Sequence, residues 1–133
     1  MKKILVLCTG NSCRSQMAEG LINHCFKDKH KAFSAGTNPA KLNPYAIKVM
    51  AEIGIDISKN ISKHADVFNN EVFDIVITVC DNAKESCPVY FGKAVKYHWP
   101  FYDPAEAAGT EEEILKKFRD VRDEILEKLK KEL

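Results

Sequence analysis

The 133-residue sequence predicts a single α/β domain built on a mostly parallel sheet. The length is that of one domain, and short continuous apolar runs alternate with segments of helical periodicity. The composition, 45% hydrophobic and 29% charged, is typical of a folded protein. No internal repeat or linker divides the chain, so one domain is expected to span residues 1–133.

Four short segments are predicted to be strands, and the first and third have the continuous apolar pattern of a strand buried on both faces of a sheet. Residues 4–7 form the first, and residues 31–35, closed by Gly36, form the second. Residues 73–79 are the clearest of the four, and residues 94–99 form the last. Cys8 and Cys80 therefore each follow a predicted strand, at the edge of a parallel sheet where ligands bind.

Two helices are predicted between these strands. The first follows turn-forming residues 9–12, and its apolar stripe consists of Met17, Leu21, Ile22 and Cys25. The second begins at the N-cap Asn43, has Pro44 in its first position, and ends at Gly54.

A third helix is predicted near the end of the sequence. Thr110 and Glu113 have the spacing of a capping box. The apolar stripe that follows consists of Ile114, Phe118, Val121, Ile125 and Leu129. The charged residues between them are expected to form a solvated face.

Charge and hydropathy exclude several classes of function. Twenty basic and 19 acidic residues give a net charge of +1, which gives nucleic-acid binding no electrostatic support. No apolar run approaches the roughly 18 residues of a membrane helix, and the first apolar stretch is shorter than the roughly 7–15 residues of a signal peptide. A cytoplasmic monomer without nucleic-acid or membrane partners is expected.

The five cysteines are expected to be free thiols unless they have a catalytic or redox role. The gaps from Cys8 to Cys13 and from Cys80 to Cys87 differ from the two-residue spacing of a zinc knuckle. Cys13 and Cys25 are interpreted as structural residues.

Residues 8–15 have the pattern Cys-x5-Arg-Ser between a predicted strand and a predicted helix. Backbone N–H groups of such a turn can converge on a tetrahedral oxyanion, and the planar fork of Arg14 can hold two of its oxygens. The same groups would stabilise a Cys8 thiolate as a nucleophile. A nucleotide-binding P-loop is excluded, because the sequence contains no Gly-x4-Gly-Lys-Ser/Thr motif.

The loop at 8–15, together with Asp103-Pro104, resembles the low-molecular-weight protein tyrosine phosphatase superfamily. Three features are similar to its thioredoxin-coupled arsenate reductases. They are the block from Cys8 to Gly20, the Cys80-x6-Cys87-Pro88 pair, and the His98-Trp99 and Asp103-Pro104-Ala105 segment. The resemblance covers essentially the whole chain and implies a four-stranded parallel sheet flanked by helices.

The resemblance implies a role for each matching residue. Cys8 would attack arsenate, for which phosphate or sulfate is an analogue, and Asp103 would be the general acid. The oxyanion would be held by the loop, namely Thr9, Gly10, Asn11, Ser12, Cys13, Arg14 and Ser15. Cys80 would then attack Cys8 and release arsenite, and Cys87 would attack Cys80, leaving a disulfide for thioredoxin to reduce.

The resemblance also raises the question of a cation. Some members of the family bind potassium near the loop with residues that correspond to Asn11, Glu19, Ser34 and position 63. Here position 63 is Lys63 instead of an acid. The ammonium is expected to replace the ion, so neither a metal nor a cofactor is predicted, although Asp66 keeps the question open.

Alternative interpretations are left open. A phosphatase acting on phosphate monoesters needs only Cys8, Arg14 and Asp103. It has no use for Cys80 and Cys87, and the family's phosphatases usually carry an aromatic residue where Ala105 stands. A non-catalytic oxyanion or arsenic sensor would need neither an acid nor ordered thiols. Structural roles also remain open: core residues for Cys8 and Cys80, a turn residue for Asp103.

Overall fold

Four strands form one parallel sheet in the computed structural model, which describes residues 1–81, 90 and 92–133. The strands are β1 (Lys2–Cys8), β2 (His30–Gly36), β3 (Ile75–Thr78) and β4 (Val95–His98). They lie in the order β2-β1-β3-β4 and pair in parallel throughout. The predicted fold class is confirmed, although β3 is shorter than the predicted strand at 73–79.

Three α-helices connect and cover the sheet: α1 (Arg14–Cys25), α2 (Pro44–Ala51) and α3 (Glu111–Glu132). Short 3-10 turns lie at Ala65–Phe68 and Pro104–Glu106. The predicted caps are confirmed. The Asn43 side chain accepts a hydrogen bond from the Tyr45 N–H at 2.8 Å, and Thr110 and Glu113 form the reciprocal capping box of α3.

The two faces of the sheet carry two separate clusters of apolar side chains. Alternate residues of β1 point to opposite faces, as the two-residue period of a strand requires. Ile4 and Val6 belong to the larger cluster with α1, α2 and α3. Leu5 and Leu7 belong to the smaller one, which Phe73 and partly buried aromatic rings cover.

Three details of the helices differ from the sequence prediction. Cys25 is exposed at the end of α1, because the helix leaves the core after Ile22. Ile114 is only partly buried, and Leu115 occupies the first buried position of α3. Arg122, one of the charged residues expected on the solvated face of α3, is buried, with 8% of its surface exposed. Its guanidinium donates to the Val49 carbonyl at 2.8 Å and to Glu52 at 3.2 Å.

Among the described residues, no helix is long and apolar enough to cross a bilayer.

His30, at the start of β2, is a buried histidine whose Nδ1 has no hydrogen-bond partner among the described residues. Burial, reinforced by the positive charges of Lys2 and Lys29, lowers the pKa of His30. The folded chain therefore favours the neutral imidazole, and protonation favours unfolding.

This environment predicts a loss of stability in mild acid. The contribution of neutral His30 is fully present above its ordinary pKa of about 6.5 and is lost as the pH falls below that value. We expect His30→Leu, which removes the unpaired nitrogen, to raise the free energy of unfolding by about 1 kcal/mol at pH 7 and by more at pH 5. Denaturant unfolding at both pH values measures the difference. The same change at the exposed His24 is the control, and equal pH dependence in wild type and His30→Leu would contradict the assignment.

Candidate active site

The site lies where β1 and β3 end side by side. Leu7 pairs with Thr78 in the parallel register, so Cys8 and Cys80 both follow at the carboxyl edge of the sheet. Cys8 is the last residue of β1, residues 9–13 form a loop, and Arg14 begins α1. Both cysteines are buried in the larger core cluster.

The carbonyl groups of the loop are turned outward. Three of them accept hydrogen bonds from the segment at 38–43. These bonds are Asn38 N to Thr9 O at 2.9 Å, Ala40 N to Gly10 O at 2.9 Å, and Asn43 N to Ser12 O at 3.2 Å. In a trans peptide the next N–H points opposite to the carbonyl. The N–H groups of Gly10, Asn11 and Cys13 therefore face the interior of the loop, and that of Asn11 lies 3.2 Å from the Cys8 Sγ.

Asn11 has a left-handed backbone, with φ at 49°. This conformation is costly for a residue with a side chain, and asparagine tolerates it best when the side chain is hydrogen-bonded. The buried Asn11 amide donates to Ser15 Oγ at 2.8 Å and to Ser34 Oγ at 2.9 Å. Its Oδ1 accepts from Gln16 Nε2 at 3.1 Å and from the Lys63 N–H at 3.0 Å.

Ser15 connects this network to the Cys8 sulfur. The two atoms are 2.8 Å apart, and Ser15 Oγ accepts a hydrogen bond from the Asn11 amide. Either atom can donate in this pair; when Cys8 is a thiolate, Ser15 Oγ is the donor, and the sulfur then receives one hydrogen bond from Ser15 and another from the Asn11 N–H. Both bonds stabilise negative charge on the sulfur.

A cavity of about 360 Å³ opens above Cys8. Its lining consists of Cys8, Thr9, Gly10, Ser12, Cys13, Arg14, Asn38, Ala40, Asp103, Ala105 and Glu106. Five of the seven predicted oxyanion-binding residues line it, whereas Asn11 and Ser15 lie behind Cys8 and hold the loop in shape. The cavity can hold a small tetrahedral anion against inward N–H groups and a cation.

Arg14 and Asp103 lie on the walls of this cavity. The Arg14 side chain is 4% exposed and donates from Nη1 to the Phe101 carbonyl at 3.3 Å. Its Nη2 lies 3.6 Å from Asp103 Oδ2. Asp103 caps the 3-10 turn at Pro104–Glu106 with Oδ1, which accepts from the Ala105 N–H at 3.1 Å. This turn directs a carboxyl group, 29% exposed, at the mouth of the cavity.

Cys13 and Cys80 differ from Cys8 in chemical state. Burial, opposed by the hydrogen bond with Ser12, raises the pKa of Cys13 to about 12, so this thiol stays protonated beside the nucleophile. Cys80 is fully buried and disulfide-bonded, whereas Cys8, Cys13 and Cys25 carry free thiols. Cys87, the remaining predicted site residue, lies outside the described residues.

Several residues that support the loop were not predicted from the sequence. Gln16 is fully buried and donates to the Asn11 carbonyl at 3.2 Å, and Ser62 Oγ donates to the same carbonyl at 2.7 Å. Gly36 lies so close to the loop that a Cβ would clash with the Thr9 carbonyl oxygen and approach the Asn11 nitrogen to 3.0 Å. For Gln16, the sequence did contain a signal of its role, because a polar residue stands among helix positions that are buried.

The residues that correspond to a potassium site in some similar proteins do not fit a free cation here. Asn11 Oδ1 accepts two hydrogen bonds, both Glu19 carboxylate oxygens accept one each, and Lys63 brings a positive charge of its own. Burial raises the pKa of Glu19, and the charge of Lys63 opposes this shift. In the described part of the chain, no group of three or more His, Cys, Asp or Glu side chains could hold a metal.

A free thiol on the floor of an oxyanion cavity, faced by an arginine and a carboxyl group, defines a phosphatase-type site on a parallel sheet. The model of the family described as low molecular weight phosphotyrosine protein phosphatase matches residues 3–133, and the chain belongs to this family.

Several similar proteins are named arsenate reductases. The arsenate reductase of Bacillus subtilis is 49% identical over 131 residues, covering 97% of this chain and 93% of the relative. A solved structure, "An arsenate reductase in the phosphate binding state", is 33% identical with a TM-score of 0.81. The match covers 98% of this chain and 95% of that one. The thioredoxin-dependent arsenate reductase of Corynebacterium glutamicum is 28% identical with a TM-score of 0.69, covering 98% of this chain and 61% of that one.

The close approach of β2 to the loop makes Gly36 a test of the site's construction. We expect Gly36→Ala to push the loop away from the strand, to lower the free energy of unfolding by about 1–3 kcal/mol and to weaken oxyanion binding. Gly10→Ala is the matched control for stability, since a Cβ there has ordinary contacts of 3.7 and 3.8 Å. Denaturant unfolding and phosphate titration measure the two effects. Equal stability of the two variants would show that the approach is not tight.

Proposed function

We propose that the protein reduces arsenate to arsenite through a covalent Cys8 intermediate and a relay of three thiols. The observation that carries the proposal is a pair of cysteines in different states at neighbouring strand ends. Cys8 is a free thiol beneath the cavity, and Cys80 is disulfide-bonded. A hydrolase would need only the first of these, while the named relatives are arsenate reductases.

The first step joins Cys8 to arsenic. The Cys8 thiolate attacks arsenate, held by the inward N–H groups and Arg14, and an oxygen leaves as water with a proton from Asp103. In the product the Cys8 sulfur is bonded to arsenic, which remains arsenic(V). The position of Asp103 in the wall of the cavity that Cys8 also lines supports its role as the acid.

The second step is the reduction. The Cys80 thiolate attacks the Cys8 sulfur, a Cys8–Cys80 disulfide forms, and the sulfur–arsenic bond breaks with its electron pair remaining on arsenic. Arsenic(V) becomes arsenic(III) and leaves as arsenite, while the two thiols together lose two electrons. The adjacent ends of β1 and β3 support this transfer, because they put both cysteines at one edge of the sheet.

The third step restores Cys8. Cys87 attacks Cys80, Cys8 leaves as a thiolate, and a Cys80–Cys87 disulfide remains for thioredoxin, a dithiol reductant, to reduce. A free Cys8 together with an oxidised Cys80 is the distribution expected at this stage, and it supports the order of the relay. A thioredoxin-dependent relative of the same fold supports the choice of reductant.

Hydrolysis of phosphate monoesters is the second candidate function, because Cys8, Arg14 and Asp103 are all that it requires. The rim of the cavity argues against an aryl ester as the main substrate. Ala105 and Ala40 offer no aromatic surface on which a substrate ring could stack, and Glu106 adds a negative charge.

The general acid can be tested by one substitution. We expect Asp103→Asn to lower kcat for arsenate reduction by about 10²–10⁴, because an amide cannot supply the proton. Asp28→Asn, the same change in an exposed turn after α1, should leave kcat unchanged. Steady-state kinetics across the pH range measure the effect. A rate for Asp103→Asn equal to wild type at every pH would assign the acid to another group.

The relay can be separated from the chemistry that it shares with hydrolysis. We expect Cys80→Ser and Cys87→Ser to retain hydrolysis of an aryl phosphate within about tenfold, because the loop is intact, and to lose thioredoxin-coupled arsenate reduction. Cys8→Ser should lose both activities, since a hydroxyl is a much weaker nucleophile. Cys25→Ser, a change at an exposed free thiol, should lose neither.

The two relay variants should stop at different points. After one turnover with arsenate, mass spectrometry should find a Cys8–Cys80 disulfide in Cys87→Ser and no such bond in Cys80→Ser. If both variants reduce arsenate at the wild-type rate, the three-thiol relay is wrong; if the wild type hydrolyses phosphate monoesters but does not reduce arsenate, the phosphatase is the better assignment.

A further inference from the structure

Glu19 is a carboxylate of α1 that the proposed reaction does not use. It lies outside the active-site cavity, yet both of its oxygens are engaged. Oε1 accepts from Ser34 Oγ at 2.9 Å, and Oε2 accepts from Asn60 Nδ2 at 3.0 Å. A partly buried charge with neutral hydrogen-bond partners needs compensation.

These contacts close a ring of five side chains beneath the oxyanion loop. From Asn11 the ring passes to Ser34 at 2.9 Å and to Glu19 at 2.9 Å. It returns through Asn60 at 3.0 Å and Gln16 at 3.1 Å, and Gln16 donates to Asn11 at 3.1 Å. Ser34 accepts from Asn11 and donates to Glu19, so the negative charge of Glu19 fixes the direction of the bonds that end at the loop.

Lys63 is a basic residue beside this ring. Its backbone N–H donates to Asn11 Oδ1 at 3.0 Å, and its ammonium donates to the Ile61 carbonyl at 3.1 Å. Lys63 and Glu19 line one surface cavity of about 410 Å³, together with Lys59. The positive charge of Lys63 lowers the pKa of Glu19, against the larger effect of burial.

We propose that Lys63 is a positioning residue, a tethered cation that balances Glu19 and thereby holds Ser34 and Asn11 in the arrangement that shapes the oxyanion loop. The protein then needs no free monovalent cation for activity. Removal of the ammonium would leave Glu19 and the Ile61 carbonyl as oxygens that a small monovalent cation can bind. Arsenate reduction, the proposed function, serves here only as one readout, because the reactivity of Cys8 reports on the loop independently.

The test compares Lys63→Met with Lys59→Met at constant ionic strength, in potassium, ammonium, methylammonium or tetramethylammonium chloride. Tetramethylammonium has no N–H group, so it cannot replace the hydrogen bond that the Lys63 ammonium donates to the Ile61 carbonyl. We expect kcat/KM of Lys63→Met to fall about tenfold in tetramethylammonium and to recover at least fivefold in the smaller cations, since small displacements of a catalytic loop are costly. Wild type and Lys59→Met should show no cation preference.

Two further measurements keep the test independent of the proposed function and of folding. The alkylation rate of Cys8, followed by peptide mass spectrometry, should show the same loss and recovery even if arsenate is not the substrate. Lys63→Arg, which retains the charge, should resemble wild type, and the melting temperature of each variant reports whether it is folded.

A double-mutant cycle with Glu19→Gln distinguishes charge balance from packing. Once the carboxylate is gone, Lys63→Met should have no further effect on Cys8 alkylation or on cation response. The proposal is overturned if potassium specifically activates the wild type, if Lys63→Met behaves as wild type in every salt, or if its loss is equally large in the Glu19→Gln background and no cation restores it.

Discussion

The site depends on one constraint: the loop after β1 must turn its carbonyl groups outward, so that its N–H groups can face an anion. Asn11 meets this constraint with a left-handed backbone, which is held by hydrogen bonds at each polar atom of its side chain. An isolated loop would relax from this conformation, because the cost of a positive φ would not be offset. The surrounding polar network exists to prevent that relaxation.

The same arrangement separates two kinds of polar residue. Arg14 and Asp103 meet the cavity and can contact a bound anion, whereas Ser15 and Gln16 stand behind the loop and contact its backbone or the sulfur. The residues behind the loop define where the sulfur and the N–H groups lie. Rigid placement of this kind is what makes electrostatic stabilisation effective, since the donors need not reorganise during the reaction.

Local patterns predicted most of the fold. Strand-like segments in the sequence predicted all four strands, of which β1 and β3 contain continuous apolar runs. Asn43, Thr110 and Glu113 marked helix starts, because caps act within one turn. Cys8, Arg14 and Asp103 could be predicted as site residues from their spacing and the resemblance. The burial of Arg122 could not, because its partner Glu52 is 70 residues away in sequence. The sequence did not predict the roles of Gln16, Asn60 and Gly36 either, because these roles arise from contacts between distant segments.

The span of those contacts has a consequence for how the protein acquires its activity. The Asn11 side chain bonds to Ser34 and Lys63, which are 23 and 52 residues further along the chain. A nascent or partly folded chain can contain the whole loop sequence and still lack an anion-binding loop, because the segments that close it have not arrived. Competence should therefore appear late in folding, together with the docking of residues 60–63, and transplanting residues 8–15 into another strand–helix junction would not carry the site with it.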